Sequence, residues 1–331
     1  MGAQVVRFGI LGCSSVARRR SIPALLAHPG ATLAAVASRD PEKAEAVAAE
    51  SGCAATGYDE LLARDDVDAV YLPLPTALHV PWGLKVLAAG KHLLLEKPSA
   101  TTADGARQLV RAAAERGLVL RENFTFLHHA QHGTVARLLA EGRLGRLRSF
   151  SGAFCFPPLP ATDIRYDAAL GGGSLLDAGV YPIRAAQLLL GDDLTVAGTS
   201  LRVDGRTGVD VAGHALLVSA AGVLADVKFG FEHTYGASYT LWGSAARLTV
   251  DRAFTPQATW QPVLRIDEQD HAEEHVLPAG DQWRDAIASF TAAVAAGHHA
   301  GHPAEAAGLR SMVRTVELVE DVVRRATRVA A

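Results

Sequence analysis

Short apolar runs separated by amphipathic stretches organise the first third of the chain. "VVRFGIL" (Val5–Leu11) reads as a strand, "SIPALLAHP" after it as a helix, and "ATLAAVAS" (Ala31–Ser38) as a second strand. "PEKAEAVAAES" opens on the proline that suits a first helical turn. "DAVYLPLP" (Asp68–Pro75) is a third strand, followed by "HVPWGLKVLAAG", a helix with a glycine stop. "KHLLLEKP", "TADGARQLVRAAAERG" and "LVLREN" repeat strand, helix and strand. Units of this length predict a doubly wound parallel sheet with helices on both faces over residues 1–123.

After Asn123 the pattern changes. "HGTVARLLAEG" has helical spacing, and then come β-rich runs: "LRSFSGAFCF", "TVAGTSLRV", "VAGHALLVSA", "VLADVKFGFEH", "YTLWGS" and "ARLTVDR". Several alternate apolar and polar positions, as an antiparallel sheet with one covered face does. "DQWRDAIASFTAAVAAG" and "EAAGLRSMVRTVELVEDVVRRA" return to helix. The expectation for residues 124–331 is an α+β domain on a large, mostly antiparallel, open-faced sheet. That open face predicts pairing with further copies, as a dimer or tetramer.

Composition narrows the function classes. The 331 residues carry a formal net charge of -3, which gives no electrostatic case for nucleic acid or an anionic membrane. No stretch reaches the roughly 20 apolar residues that span a bilayer. "ILGC" at Ile10–Cys13 has the form of a lipoprotein cleavage box, but Arg7 interrupts the apolar stretch such a signal needs. Cys13, Cys53 and Cys155 are far apart and odd in number, which fits a reducing cytoplasm better than a disulfide framework. The histidines of "GHHAGHP" (Gly297–Pro303) read as a solvated interhelical loop, and no metal is expected.

The first strand ends in "GCSSVA" before a helix, the place where a dinucleotide fold seats its pyrophosphate on free backbone N–H groups. Gly12 supplies the tight turn and Ala17 the close packing, while Ser14 stands where a middle glycine is usual. At the end of the second strand an NAD site keeps an acid for the ribose, whereas this chain has Ser38 and Arg39. An arginine there suits a phosphate, so NADP is favoured, although Asp40 is adjacent. "HLLLEKP" delivers Lys97 to the carboxyl edge of the sheet, where ligands bind, and Pro98 stiffens the chain that carries it. Lys97 can polarise a carbonyl or give a proton to an alkoxide. The plainer reading, an ion pair with Glu96, is open at this stage. In "GGGSLLDAGVYPIRAAQLLLG", Asp177 and Tyr181 are four apart and share a helix face.

"GILGCSSVA", "YLPLPTALH", "EKP" and "GGGSLLDAGVYPI" together resemble the Gfo/Idh/MocA oxidoreductase family over essentially the whole chain. The resemblance implies a Rossmann domain followed by an open-sheet α+β domain. It also implies catalytic roles for Lys97 and Asp177, with Tyr181 where the family often has histidine. That departure suits ketone reduction, because a tyrosine is still protonated at neutral pH.

"ENFTFLHHAQH", "DIRYDAALGGGSLLDAGVYPIRAA", "FTPQATWQPV" and "DEQDHAEEHVLPAGDQ" resemble its NADPH-dependent sugar 3-ketoreductases of deoxysugar biosynthesis. Those enzymes reduce the carbon-3 ketone of a dTDP-3,4-diketo-2,6-dideoxyglucose. The implied cofactor site starts with the turn Gly12, Cys13, Ser14, Ser15, Val16, Ala17, Arg18 and Arg19. It adds Ser38, Arg39, Tyr58, Leu74 and His79, then Glu96, Lys97, Arg165 and Asp177. The implied substrate site adds Arg20, Tyr235 and Thr255 to Lys97, Asp177 and Tyr181. Other readings within reach are an NADP-dependent free-sugar dehydrogenase of the same family and a dinucleotide-sensing regulator without turnover.

Overall fold

A computed structural model describes residues 5–331. The strands of its first sheet are β1 (Val6–Leu11), β2 (Ala31–Ala37), β3 (Ala54–Thr56), β4 (Ala69–Leu72), β5 (His92–Leu95) and β6 (Leu120–Glu122). The helices between them are α1 (Ile22–Leu26), α2 (Pro41–Ser51), α3 (Tyr58–Ala63), α4 (His79–Ala88) and α5 (Ala103–Glu115). All the strands run parallel in the order β3-β2-β1-β4-β5-β6. The order turns back between β1 and β4, the crevice where doubly wound sheets bind ligands. β4 is buried along its whole length because helices cover both of its faces.

The chain continues through α6 (Ala130–Ala140), β7 (Leu147–Cys155), α7 (Val180–Leu190), β8 (Leu194–Val203), β9 (Asp210–Ser219) and β10 (Leu224–Gly230). It goes on through β11 (Gly236–Gly243), β12 (Arg247–Val250), β13 (Val263–Asp267), β14 (Ala272–Val276), α8 (Gln282–Ala295), α9 (Pro303–Arg325) and β15 (Thr327–Ala330). These strands form a nine-stranded sheet, β14-β13-β12-β11-β7-β10-β9-β8-β15. Neighbours are antiparallel except β7 with β10 and β8 with β15. Alternate positions such as Val211, Ala215, Val227, Tyr239 and Leu241 are buried, and α7 packs on β7 and β10.

Two compact units result. The first takes the residues up to Phe124 together with Trp283–Val313, and the second takes Thr125–Gln282 with Arg314–Ala331. This differs from a single cut after residue 123, because residues 283–313 pack with the parallel sheet. Phe290 of α8 meets Phe8 of β1 at a ring separation of 5.7 Å, beside Ile10, Val36 and Tyr71. On the opposite face, Leu309 and Met312 of α9 join Leu72, Leu93 and Leu109. Each such side chain contributes about 1.5–3 kcal/mol by leaving water. A partly buried ion pair, Arg121 to Glu305 at 2.7 Å, ties β6 to the start of α9. Within the second unit, Thr315 Oγ1 donates to Gln187 Oε1 at 2.7 Å. Among the described residues no helix is long and apolar enough to cross a membrane.

Candidate active site

The turn after β1 leads into a capped helix start. Gly12 has φ +122°, and a Cβ there would meet Leu74 Cδ2 at 2.7 Å, so only glycine keeps the turn both left-handed and close to Leu74. Ser14, in place of the second glycine, caps the helix: its Oγ accepts from the Ala17 N–H at 3.2 Å. Ser15, Arg18, Arg19 and Arg20 are exposed, Val16 is half-buried, and Ala17 is buried against the sheet. Residues Ala17–Ser21 form a π-helical turn before α1, a distortion frequent at functional sites. Arg18 also makes an exposed ion pair with Glu50 at 3.3 Å. The Cys13 thiol is pushed up by burial, with the nearby Lys43 and Arg18 opposing the shift, so two cations stand close to the turn.

At the end of β2 the acid beside Arg39 is already engaged. Asp40 Oδ1 accepts from the Lys43 N–H at 3.2 Å and so caps α2. Ser38 Oγ accepts from the Asp40 N–H at 3.2 Å, which fixes the turn. Arg39 is exposed beside Tyr58, whose phenol is pushed up by burial against the opposing guanidinium. Tyr58 meets Trp82 edge to face at 4.9 Å. These residues fit a nicotinamide dinucleotide with a 2′-phosphate: a glycine cradle, a capped helix start, and a cation where an NAD site would keep its acid.

His79 and Glu96 support the segment that carries Lys97. Both ring nitrogens of buried His79 lie 2.8 Å from carbonyl oxygens, those of Pro98 and Leu74. Burial outweighs those two carbonyls and lowers His79 to about 4. The Glu96 carboxyl, pushed up by burial, accepts from Tyr71 Oη at 2.7 Å, from Asn123 Nδ2 at 2.7 Å and from the Lys97 N–H at 3.3 Å. Its side chain is thus a buried brace within the first unit. Lys97 follows β5 and is half-buried, and the Lys97–Pro98 peptide bond is cis.

In the second unit the structure joins two residues that the sequence left separate. Arg165 Nε donates to Asp177 Oδ2 at 2.6 Å, and its Nη1 donates to Asp163 at 3.1 Å. Asp177 beside Arg165 is the largest of the causes that raise the guanidinium further. Asp177 lies on a second π-helical turn, Leu175–Gly179, leading into α7. The glycines before it are required. Gly173 has φ +119°, and a Cβ on it would lie 2.5 Å from Asp210 Oδ1, while Asp210 Oδ2 accepts from Ser174 Oγ and the Leu175 N–H. Tyr181, half-buried, sits among Phe154, Phe254 and Phe126 with ring separations of 5.0, 5.6 and 6.0 Å. Tyr235 and Thr255 are hydrogen-bonded through their hydroxyls at 3.0 Å.

Tyr71, Asn123, Asp163 and Asp210 were not anticipated as supports. Only Tyr71 left a signal, a phenol in the middle of a fully apolar strand that must find a partner. Among the described residues no group of three or more His, Cys, Asp or Glu side chains could hold a metal ion.

Residues 6–124 match the oxidoreductase family with an NAD-binding Rossmann fold, and residues 132–249 match the GFO/IDH/MocA C-terminal domain. The chain is a member of the Gfo/Idh/MocA oxidoreductase family. It is 49% identical over 325 residues, 96% of each chain, to a dTDP-3,4-didehydro-2,6-dideoxy-alpha-D-glucose 3-reductase of Streptomyces antibioticus. It superposes with a TM-score of 0.95 on KijD10, a 3-ketoreductase from Actinomadura kijaniata in complex with NADP and TDP-benzene. That match is 47% identical and covers 99% of this chain and 100% of that one. A D-xylose 1-dehydrogenase (NADP(+)) of Haloferax volcanii is more distant, at 34% identity over 88% of this chain and 89% of its own length.

Proposed function

We infer that this chain is an NADPH-dependent reductase of a nucleotide-linked keto sugar. It converts the carbon-3 ketone of a dTDP-3,4-diketo-2,6-dideoxyhexose to the 4-keto product in deoxysugar biosynthesis. The observation that carries this reading is 49% identity along 96% of the chain with the Streptomyces antibioticus 3-reductase, against 34% with the free-sugar dehydrogenase. The cofactor reading is supported by the capped turn at Gly12–Ala17 and by Arg39 with its neighbouring acid already capping α2.

NADPH, when bound, supplies the hydride that reduces the ketone carbon. Negative charge then builds on the ketone oxygen, and the Lys97 ammonium stabilises it. Lys97 or Tyr181 donates the proton that completes the hydroxyl, and solvent restores it. Asp177, oriented by Arg165, positions a sugar hydroxyl. Arg20, Tyr235 and Thr255 are assigned to the nucleotide of the substrate.

The second assignment is self-association through the outer face of the nine-stranded sheet. Leu216, Leu224 and Trp242 stand exposed there, at positions that the strand register puts on one face. Sedimentation of native protein against Trp242→Glu tests this, with a smaller species expected for the variant.

Turnover tests the main reading. The protein is mixed with NADPH and a panel of keto sugars, and loss of the reduced-nicotinamide absorbance is followed with and without dTDP. Consumption with the dTDP-linked diketo sugar, inhibited by dTDP, is expected. Free sugars reacting as well, with no effect of millimolar dTDP, would replace this reading by the free-sugar dehydrogenase.

A further inference from the structure

Arg252 is the one non-glycine residue at positive φ among the described residues, at φ 48°. A side chain in that region costs roughly 1–2 kcal/mol, so it persists only where its surroundings impose it. They do so here. Val250 is paired with Tyr239 just before it, and the Ala253 N–H donates to Ala237 O at 2.7 Å just after it. The Ala253 carbonyl accepts from two buried side chains, His132 Nε2 at 2.9 Å and Gln131 Nε2 at 3.1 Å. The next carbonyl, of Phe254, accepts from Gln282 Nε2 at 3.0 Å.

The result of this fixing is the placement of one guanidinium. Its carbon lies 4.9 Å from the Trp260 ring and 5.5 Å from the Tyr235 ring. Both rings are well exposed, 40% for Trp260 and 44% for Tyr235, as is Arg252 itself. Three other arginines of this sheet meet carboxylates: Arg202 meets Glu232, and Arg247 and Arg265 meet Asp267. Arg252 makes no ion pair or hydrogen bond among the described residues. Stacking on rings leaves the in-plane N–H donors of a guanidinium unused, and those donors match phosphate oxygens in pairs. The aromatic contacts also form a continuous path within the second unit, from Tyr181 to Phe154 at 5.0 Å and from Phe154 to Tyr235 at 6.4 Å.

We propose that Arg252, held by Trp260 and Tyr235, is a specificity-determining residue that binds the diphosphate of the nucleotide-linked substrate. This rests on the nucleotide-sugar reading above. The test is calorimetric titration of the NADP-loaded full-length protein with dTDP and, separately, with thymidine, which lacks the phosphates. Arg252→Ala and Arg252→Gly should weaken dTDP about ten- to a hundredfold, the scale of a lost charge-assisted contact, and leave thymidine unchanged. Arg252→Gly relieves the left-handed backbone, so it should melt no lower than the native protein and exclude misfolding as the cause. A dTDP affinity within twofold of native in Arg252→Gly would overturn the proposal and leave the nucleotide-sugar reading intact. Native protein that binds no dTDP at millimolar concentration would overturn both.

Discussion

Tyr71 Oη donates to Glu96 Oε1 across 2.7 Å, one residue before the lysine on which the proposed chemistry turns. Ser21 Oγ donates in turn to Tyr71 Oη at 2.9 Å, so a buried chain of hydroxyls links the π-helical turn near the proposed cofactor site to the end of β5. Tyr71→Phe removes a donor from a buried carboxyl and leaves the Ser21 hydroxyl without its acceptor. The expected loss is about 1–3 kcal/mol of stability in urea unfolding. If the brace also positions Lys97, kcat should fall severalfold while KM for NADPH holds. Unchanged stability would mean that Glu96 draws its support elsewhere.

Lys97→Ala should lower turnover roughly a hundredfold or more, the scale of an oxyanion-stabilising donor, with NADPH binding retained. Tyr181→Phe assigns the proton. A smaller fall than Lys97→Ala makes the lysine the main donor, and a larger one makes it the tyrosine. Near-native turnover in a folded, NADPH-binding Lys97→Ala protein would reduce Lys97 to a partner of Glu96.

The neighbours Arg39 and Asp40 should separate cleanly. Arg39→Ala should weaken NADPH by about 1.5–3 kcal/mol and affect NADH little, as expected for one charge-assisted phosphate contact. Asp40→Ala should instead cost about 1 kcal/mol of stability, because Asp40 caps α2, and leave the preference between cofactors alone. Equal catalytic efficiency of the native enzyme with NADPH and NADH would remove the ground for the Arg39 assignment and leave the Asp40 cap untouched.

The parallel sheet was legible because its central strands are buried on both faces and read as unbroken apolar runs, as in "HLLL" and "AVYL". β3 and β15 were not legible: the first is three residues long, and the second is exposed at all four positions. β14, "AEEHV", alternates only weakly and carries three ionisable side chains. The return of α8 to the first unit was invisible for a different reason. Helical periodicity says that Ile287 and Phe290 are buried, but not against which sheet. At the site, Lys97 could be read from its place at a strand end. The Arg165–Asp177 pair and the Arg252 platform could not, since both depend on contacts between segments that no local pattern connects.

His132 gives the second unit a specific sensitivity to acid. The ring is buried, with Nδ1 2.9 Å from Tyr239 Oη and Nε2 2.9 Å from the Ala253 carbonyl. A neutral ring protonated on Nε2 satisfies both partners, accepting from the tyrosine and donating to the carbonyl. Burial lowers His132 from 6.5 to about 3. The folded value therefore lies below the unfolded one, and the unfolded chain takes up the proton first as pH falls. The stability this group contributes is fully present above about pH 6.5 and is lost progressively as pH drops toward 3. The slope reaches about 1.4 kcal/mol per pH unit, so roughly 2–3 kcal/mol should disappear between pH 6 and 4. His79, lowered to about 4, acts in the same direction in the first unit. Urea unfolding at pH 7.5, 6, 5 and 4 should show the decline, and His132→Gln, which keeps a donor and an acceptor but does not titrate, should flatten it. Parallel declines in the native protein and in His132→Gln would show that the acid sensitivity arises from other groups.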